Sequence, residues 1–511
     1  MKHPNLKKLK YRNGFLQVLN IIRSFINGEW VVPSGERIPK LNPATEELIH
    51  KVASVRASDL KTALDSAKKG FYEWSRTPVE QRAELLKKVG QLIMDRMDEI
   101  SSVITLENGK PLVESNMEVT GAQMYAEYYG AEAAQMLRDE TRTVDFPQPG
   151  NYEFRITFEP LGVVAVISPW NWPFLIPIQT IMPALAAGNS VVFKPSSLTA
   201  MVGEKIVELF EKAGLPRGVL NLVQGGGRVG EMLVGTDVKA VVFTGGSKAG
   251  VQVALNCAKE FKRTVLELGG SDPFVVFDDA NMEEAVNGAV YGRFFGAGQI
   301  CVSAKRILVQ ENVFNDFVKM FVEKASSLKV GNGFEPSTDI GPLISREQRA
   351  YVSRAVKQAV SAGARVMCGG SLPREFKKGF FYSPTVLTDV SLSMKVMSEE
   401  IFGPVAPVIP FRDEKQAILI ANSTKYGLGA SIWTVDEEKA VRLSREIESG
   451  IVWVNDVAVT FPHAPWGGVK QSGVGRHSSR YGLLEMVNIR QICINKMREP
   501  TRMWWLPYSK G

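Results

Sequence analysis

Two rhythms of apolar positions run along the chain. From Ala57 to Trp74, from Val79 to Ile104 and from Glu114 to Arg138, apolar residues recur three or four positions apart, which predicts amphipathic helices. The stretch FPQPGNYEFRITFEP that follows has Pro and Gly punctuation and then alternation, so it predicts a turn and an extended arm. From Leu161 the pattern changes. GVVAVIS, SVVF, VLNLV and AVVFTG are short runs apolar on both faces, separated by helical stretches such as FLIPIQTIMPALAAG and the segment around Met201 to Ala213. Such strands alternating with helices predict a parallel sheet covered on both sides. The rhythm breaks near Gly269–Ser271. It resumes with DPFVVFD, a helix around Met282 to Phe295, RILVQ, and finally GIVWVN near Ile451. Two open α/β units are therefore expected. LLEMVNIRQICINK reads as extended, and TRMWWLPYSKG ends the chain with Trp504, Trp505 and Tyr508, aromatics expected to bury against this subunit or a neighbour.

Composition narrows the class. The 511 residues are 45% hydrophobic and 23% charged, as in globular proteins, and no apolar run is long enough to span a membrane. A net charge of +7 raises the question of nucleic acid, but residues 1–23 carry six Lys and Arg and no acid, nearly the whole excess. A basic extension on a near-neutral body is not a nucleic-acid groove. The extension loosely mimics a signal peptide without a small-x-small cleavage site, so it reads as loosely ordered or as preceding the true start. The four cysteines include no CxxC pair, which argues against a disulfide framework and a zinc site and fits a reducing cytoplasm. The four histidines form no HExxH, so no metal is expected.

Chemistry concentrates at a few short stretches. FTGGSKAG, with Gly245, Gly246 and Gly250, follows a strand and opens a helix, where backbone can approach a phosphate. Lys194 ends the strand SVVFK, where open α/β sheets bind ligands. On spacing alone, either feature is equally well a turn or a solvated strand end. SPWNWPF holds Asn171, TVLELGGSDP holds Glu267 and GAGQICV holds Cys301. A lone cysteine is ordinarily a small core residue, the reading given to Cys257, Cys368 and Cys493.

Taken together, these stretches with SFINGEWV, EEIFGPV and PWGGVKQSGVGR resemble the aldehyde dehydrogenase superfamily, in family order over most of the chain. The resemblance implies an α/β fold of three parts. A Rossmann-like coenzyme domain would comprise residues 24–141 and 161–270, a catalytic α/β domain residues 271–475, and a small β oligomerisation extension residues 142–160 and 476–511, after the basic extension 1–23. It implies a homodimer or homotetramer. It also implies that Cys301 attacks the aldehyde as the thiolate, that the Asn171 amide and the Cys301 N–H hold the oxyanion, that hydride passes to NAD(P), and that Glu267 activates the water that hydrolyses the thioester. Glu400 matches the position at the nicotinamide ribose, with Phe402 and Trp170 beside it. Gly225 matches an adenine-side position, and Gly246 replaces the family's common serine.

Substrate and coenzyme follow from departures. VLELGGSDPF is similar to succinate-semialdehyde members, which hold a distal carboxylate with arginines. Here Phe295 and Gln179 stand at those positions, with Arg293 left as a possible anchor. With Trp172 and Phe174 adding apolar bulk and His463 bordering the tunnel, an uncharged aliphatic or aromatic aldehyde is expected. A CoA-acylating dehydrogenase is the alternative, opposed by Glu267; a catalytically idle protein on this fold is a third reading, opposed by all three residues. Ser197 stands where NAD-preferring relatives carry a glutamate, so NADP is expected to be preferred and NAD accepted.

Overall fold

The computed structural model describes residues 21–146, 150–498 and 505–506. The N-terminal basic extension to residue 20, and Trp504 and Tyr508 of the tail, lie outside the described residues.

Two large sheets carry the fold. The first has eight strands; its centre, in order Arg263–Glu267, Ala240–Thr244, Val163–Ile167, Ser190–Lys194 and Leu220–Leu222, is parallel. Every residue of Val163–Ile167 and Ser190–Lys194 is buried, as the unbroken apolar runs require of strands covered on both faces. The second has seven strands, parallel except for Arg365–Cys368 at one edge, and is centred on Asp272–Val276 and Ala304–Gln310. The chain leaves the first sheet at Glu267 and enters the second at Asp272. A third sheet joins Glu140–Val144, Tyr152–Pro160 and Val487–Asn495, all antiparallel. Both large sheets have their own cores, with Phe174, Phe193 and Phe210 in the first and Phe274, Phe294 and Phe321 in the second.

Several expectations need correction. Val79 to Ile104 is two helices, Val79–Asp95 and Met97–Asn108, because Arg96 leaves helical geometry and ties the junction to Glu99 and Glu208. LLEMVNIRQICINK is not wholly extended, since Ser479–Leu484 is helical. Ile21–Ile22 pairs in parallel with Lys51 and Val52, so the folded body starts before Ser24. Gly473–Val474 forms one edge of the first sheet, antiparallel to Arg263–Glu267, although its sequence neighbours read as catalytic domain. Cys493 is exposed and not a core residue. Among the described residues no helix is long and apolar enough to cross a membrane, and no cluster of three His, Cys, Asp or Glu side chains would hold a metal.

Candidate active site

Cys301 sits just before the strand Ala304–Gln310, after a turn that reverses the chain sharply. Gly296, Ala297 and Gly298 all have positive φ (61°, 55° and 70°). At Gly298 a side chain is doubly excluded, since a Cβ would lie 2.4 Å from the Gly403 carbonyl oxygen. Ala297 holds a conformation uncommon for a residue with a Cβ. The turn is pinned by its neighbours: Gly296 N–H donates to Glu114 Oε1 at 3.0 Å, and Ile344 N–H donates to Gln299 Oε1 at 3.0 Å.

Cys301 opens into a cavity of about 300 Å³ that Glu267 also lines. Glu267 ends its strand, is only 5% exposed, and neither of its carboxyl oxygens has a hydrogen-bond partner. Burial therefore raises its pKa well above the usual carboxylate range, and the nearby Arg476 only partly offsets this. That guanidinium donates to the carbonyls of Gly468 and Gly475. Gly467, at φ 147°, leaves room for the carboxyl: a Cβ there would be 2.9 Å from Glu267 Oε1. The Cys301 thiol is also pushed up, to about 12, by burial; Lys305 opposes the shift, while Glu400, Asp272 and Glu267 add to it. Burial thus favours the protonated thiol, so forming the attacking thiolate requires a base to take its proton.

Asn171 lies behind the cavity wall. Its Nδ2 donates to the Gln299 carbonyl at 3.0 Å, which uses one of two amide protons. Its segment is clamped from the helical layer. Asn108 Nδ2 donates to Trp170 O at 2.9 Å, Lys110 Nζ donates to Asn171 O at 2.8 Å, and Glu118 Oε1 accepts from Phe174 N–H at 2.7 Å and Leu175 N–H at 3.1 Å. The helix Leu175–Ala186 has no cap of its own, so Glu118 supplies the acceptor its first turn lacks. No described residue accepts from the Cys301 N–H, which leaves that donor free near the thiol.

The rest of the cavity is mostly apolar, with Trp172, Tyr291, Phe295, Phe461 and Trp466 among its walls. Its polar groups are neutral or engaged. Gln179 donates to Ser478 Oγ at 2.7 Å and to Tyr125 OH at 3.3 Å. His477 is 4% exposed, burial holds its pKa down to about 4, and its Nε2 has no partner. Three expectations fail here. Phe174 is wholly buried in the core of the first sheet, because the helix starting at Leu175 turns it inward. His463 is exposed and packs edge-on against Tyr128 at 4.7 Å. Arg293 is no anchor: its guanidinium is fully buried on the carbonyls of Val405, Ile401 and Gly403 and on Ser303 Oγ. Sequence reasoning did not single out His477, Phe461, Trp466, Lys110, Glu118 or Lys305.

A groove of about 670 Å³ runs along the carboxyl ends of the first sheet's strands and shares Thr244 with the cavity. Trp170, Lys194, Ser197, Gly245, Gly246 and Lys248 line it, and so does Glu231. Lys194 is a buried ammonium whose one hydrogen bond is to the Pro195 carbonyl at 2.9 Å, and burial pulls its pKa down to about 8. A cation left unpaired beside a groove suits an oxygen-rich ligand. The glycines divide by role. Gly245 and Gly246 face the groove, and a Cβ on Gly245 would strike the Phe243 ring at 2.6 Å. Gly250 instead packs on Leu268, and Gly225 (φ 143°) lies behind the wall against Val229, while Gly226 faces the groove. Glu400 accepts from Gly270 N–H at 3.2 Å, and Phe402 packs edge-on against Trp170 at 5.4 Å, so both sit at the junction of the two halves.

The aldehyde dehydrogenase family model matches residues 30–492. Peroxisomal aminoaldehyde dehydrogenase 1 of Pisum sativum is 37% identical over 95% of this chain and 98% of its own. Mitochondrial succinate-semialdehyde dehydrogenase of Oryza sativa is 38% identical over 93% and 90%. The crystal structure of betaine aldehyde dehydrogenase from Staphylococcus aureus in complex with NAD+ superposes with a TM-score of 0.90 at 36% identity, covering 96% of this chain and 97% of that one. The chain belongs to the aldehyde dehydrogenase family, an α/β fold with a coenzyme-binding and a catalytic unit. The protein is an NAD(P)-dependent aldehyde dehydrogenase.

Proposed function

We propose that the protein oxidises an uncharged aliphatic or aromatic aldehyde to its carboxylate, with Cys301 as nucleophile, Asn171 and the Cys301 N–H as oxyanion donors, and Glu267 as base. The observation that carries this reading is the shared cavity: Cys301 and Glu267 both line it, and both Glu267 oxygens are buried without a partner. A raised carboxyl pKa makes Glu267, once deprotonated, a stronger base than an ordinary carboxylate. Glu267 takes the thiol proton, and the Cys301 sulfur bonds to the aldehyde carbon. The carbonyl electron pair moves to oxygen, where the free Cys301 N–H and the second Asn171 Nδ2 proton stabilise it. The nicotinamide coenzyme, when bound in the groove, supplies the hydride acceptor that the oxidation requires. Loss of the hydride restores the carbonyl as a thioester, and Glu267 releases the thiol proton to solvent. Glu267 then removes a proton from a water whose oxygen attacks the thioester carbon, and the thiolate of Cys301 departs with the electron pair and recovers a proton from Glu267. The presence of this base favours water over CoA as acyl acceptor.

The substrate class follows from the walls. Among the described residues, no lysine or arginine lines the cavity to pair a distal carboxylate. Trp172 also suits a cationic substrate poorly, since Lys110 Nζ already lies 4.0 Å from the centre of its ring. Specificity constants for hexanal and benzaldehyde are expected to exceed that for succinate semialdehyde; the reverse order would overturn this assignment.

For the coenzyme, NADP is preferred and NAD accepted. Ser197 lines the groove where a carboxylate would repel a 2′-phosphate, and Lys194 and Lys248 offer positive charge. Glu231 opposes this, but it is exposed and screened. Assembly is as a homodimer or homotetramer through the third sheet, whose strand Val487–Asn495 exposes Ile489 and Ile492. A monomer at micromolar concentration in light scattering would refute it. The reducing cytoplasm remains the compartment that fits four free cysteines.

A further inference from the structure

Lys305 is the second residue of the strand Ala304–Gln310, and its side chain is 1% exposed. Its ammonium donates to Ile300 O at 2.8 Å and to Cys301 O at 2.5 Å, and it lies 3.6 Å from Glu400 Oε1. That same Glu400 oxygen accepts from Gly270 N–H. Gly270 abuts the cysteine loop so closely that a Cβ would be 2.7 Å from Cys301 O and 2.5 Å from Asp272 Oδ1. One ammonium therefore joins the loop carrying the thiol, the link between the two sheets, and Glu400. Burying an ammonium is unfavourable unless acceptors and opposite charge surround it. An apolar side chain would complete this strand at lower cost, so a lysine four residues after the thiol calls for a reason.

We propose that Lys305 is a positioning residue for Cys301: it fixes the Ile300 and Cys301 carbonyls, so that the thiol and the Cys301 N–H face the cavity, and its charge favours the thiolate. The proposal rests on Cys301 being the nucleophile. Besides Lys305, three charged groups act on the thiol from other parts of the fold: Glu267 ends one strand, Asp272 starts the next, and Glu400 precedes the strand Val405–Phe411. Arg293, on the helix Met282–Phe294, acts on Lys305 instead. The three carboxyl groups all disfavour the thiolate, and Lys305 is the group that opposes them. The Arg293 guanidinium is held by the carbonyls of Val405 and Ile401.

Alkylation of the full-length protein by iodoacetamide, followed against pH, reads the thiolate directly; Cys301→Ala supplies the background from Cys257, Cys368 and Cys493. Lys305→Gln keeps hydrogen-bond donors for the carbonyls and removes the charge. Its rate-against-pH profile is expected to move about one unit to higher pH, roughly a tenfold slower reaction at any pH below the plateau. Lys305→Met is expected to be slower still, and Lys305→Arg to react within about twofold of the unmodified protein. An unmoved profile in Lys305→Gln, whether or not the melting temperature falls, overturns the proposal. Lys305→Gln carries the decision if the Met variant does not fold. That outcome would leave Cys301 itself untouched, because aldehyde turnover by Cys301→Ala tests the nucleophile separately.

Discussion

Lys110 Nζ lies 2.7 Å from Glu118 Oε2, with both side chains withdrawn from solvent, and the same ammonium holds the carbonyl of Asn171. The pair bridges the helical layer to the segment that carries Asn171, the proposed oxyanion donor. Removing one partner leaves a buried charge alone, so Lys110→Met is expected to lower stability by about 3–5 kcal/mol. Adding Glu118→Gln removes the second charge and keeps an acceptor for the Phe174 and Leu175 N–H groups. The double variant should regain most of that stability in denaturant unfolding, yet stay impaired in kcat because the Asn171 peptide is no longer held. Full recovery of both would separate the clamp from catalysis.

The proposed role of Glu267 as the base for hydrolysis is tested by its removal. In Glu267→Gln a stoichiometric burst of reduced coenzyme is expected, followed by a steady state slower by about 10²–10⁴-fold. The unmodified enzyme should gain activity as pH rises, because a raised carboxyl pKa keeps the base protonated to higher pH than an ordinary carboxylate. Stopped-flow and steady-state rates across pH check both. Full turnover by the variant would remove Glu267 from the role.

The proposed NADP preference turns on Ser197. Ser197→Glu places a carboxylate near the 2′-phosphate, where like charges in a partly buried site cost on the order of 1 kcal/mol or more. The NADP specificity constant should fall about tenfold, and that for NAD should hold or rise. An unmodified enzyme preferring NAD by about tenfold, or a variant with full NADP affinity, would contradict the assignment.

His477 predicts an acid-stability signature. Its folded pKa of about 4 lies below the ordinary histidine value, so the unfolded chain binds the extra proton first as pH falls. Stability is therefore lost from about pH 6.5 down to about 4, reaching on the order of 3 kcal/mol. The buried carboxyls Glu114 and Asp272, both pushed up to about 7 by burial, act with the opposite sign, losing stability as pH rises toward 7. Comparison with His477→Gln isolates the histidine. The melting temperature of the variant should fall less steeply over that window; identical slopes would refute the assignment.

These residues also show where sequence reading succeeds and where it stops. Ala57–Trp74 was legible to the residue, because its buried face alone generates the periodicity. The break at Arg96 was not, since the ion pairs that make it involve Glu208, 112 positions away. Adjacency to Asn171 suggested that Phe174 faces the tunnel, but one helical turn reverses its direction. His463 and His477 stand in the same glycine-rich stretch, and only the bridge between Trp466 and His477 brings the second into the cavity. Lys110, Glu118 and Lys305 carry no local signal, for each acts through carbonyls or N–H groups that only the fold brings near. Cys301, Glu267 and Asn171 stood out through short motifs and a family resemblance, and the fold brings Cys301 and Glu267 to one cavity, with Asn171 bonded to the Gln299 carbonyl.

The central claim is that Cys301 carries the chemistry. The most direct test is aldehyde-dependent reduction of NADP by Cys301→Ala, with coenzyme affinity measured alongside. Loss of turnover with coenzyme binding intact is the predicted result. A Cys301→Ala enzyme turning over at a tenth of the unmodified rate or better would contradict the account.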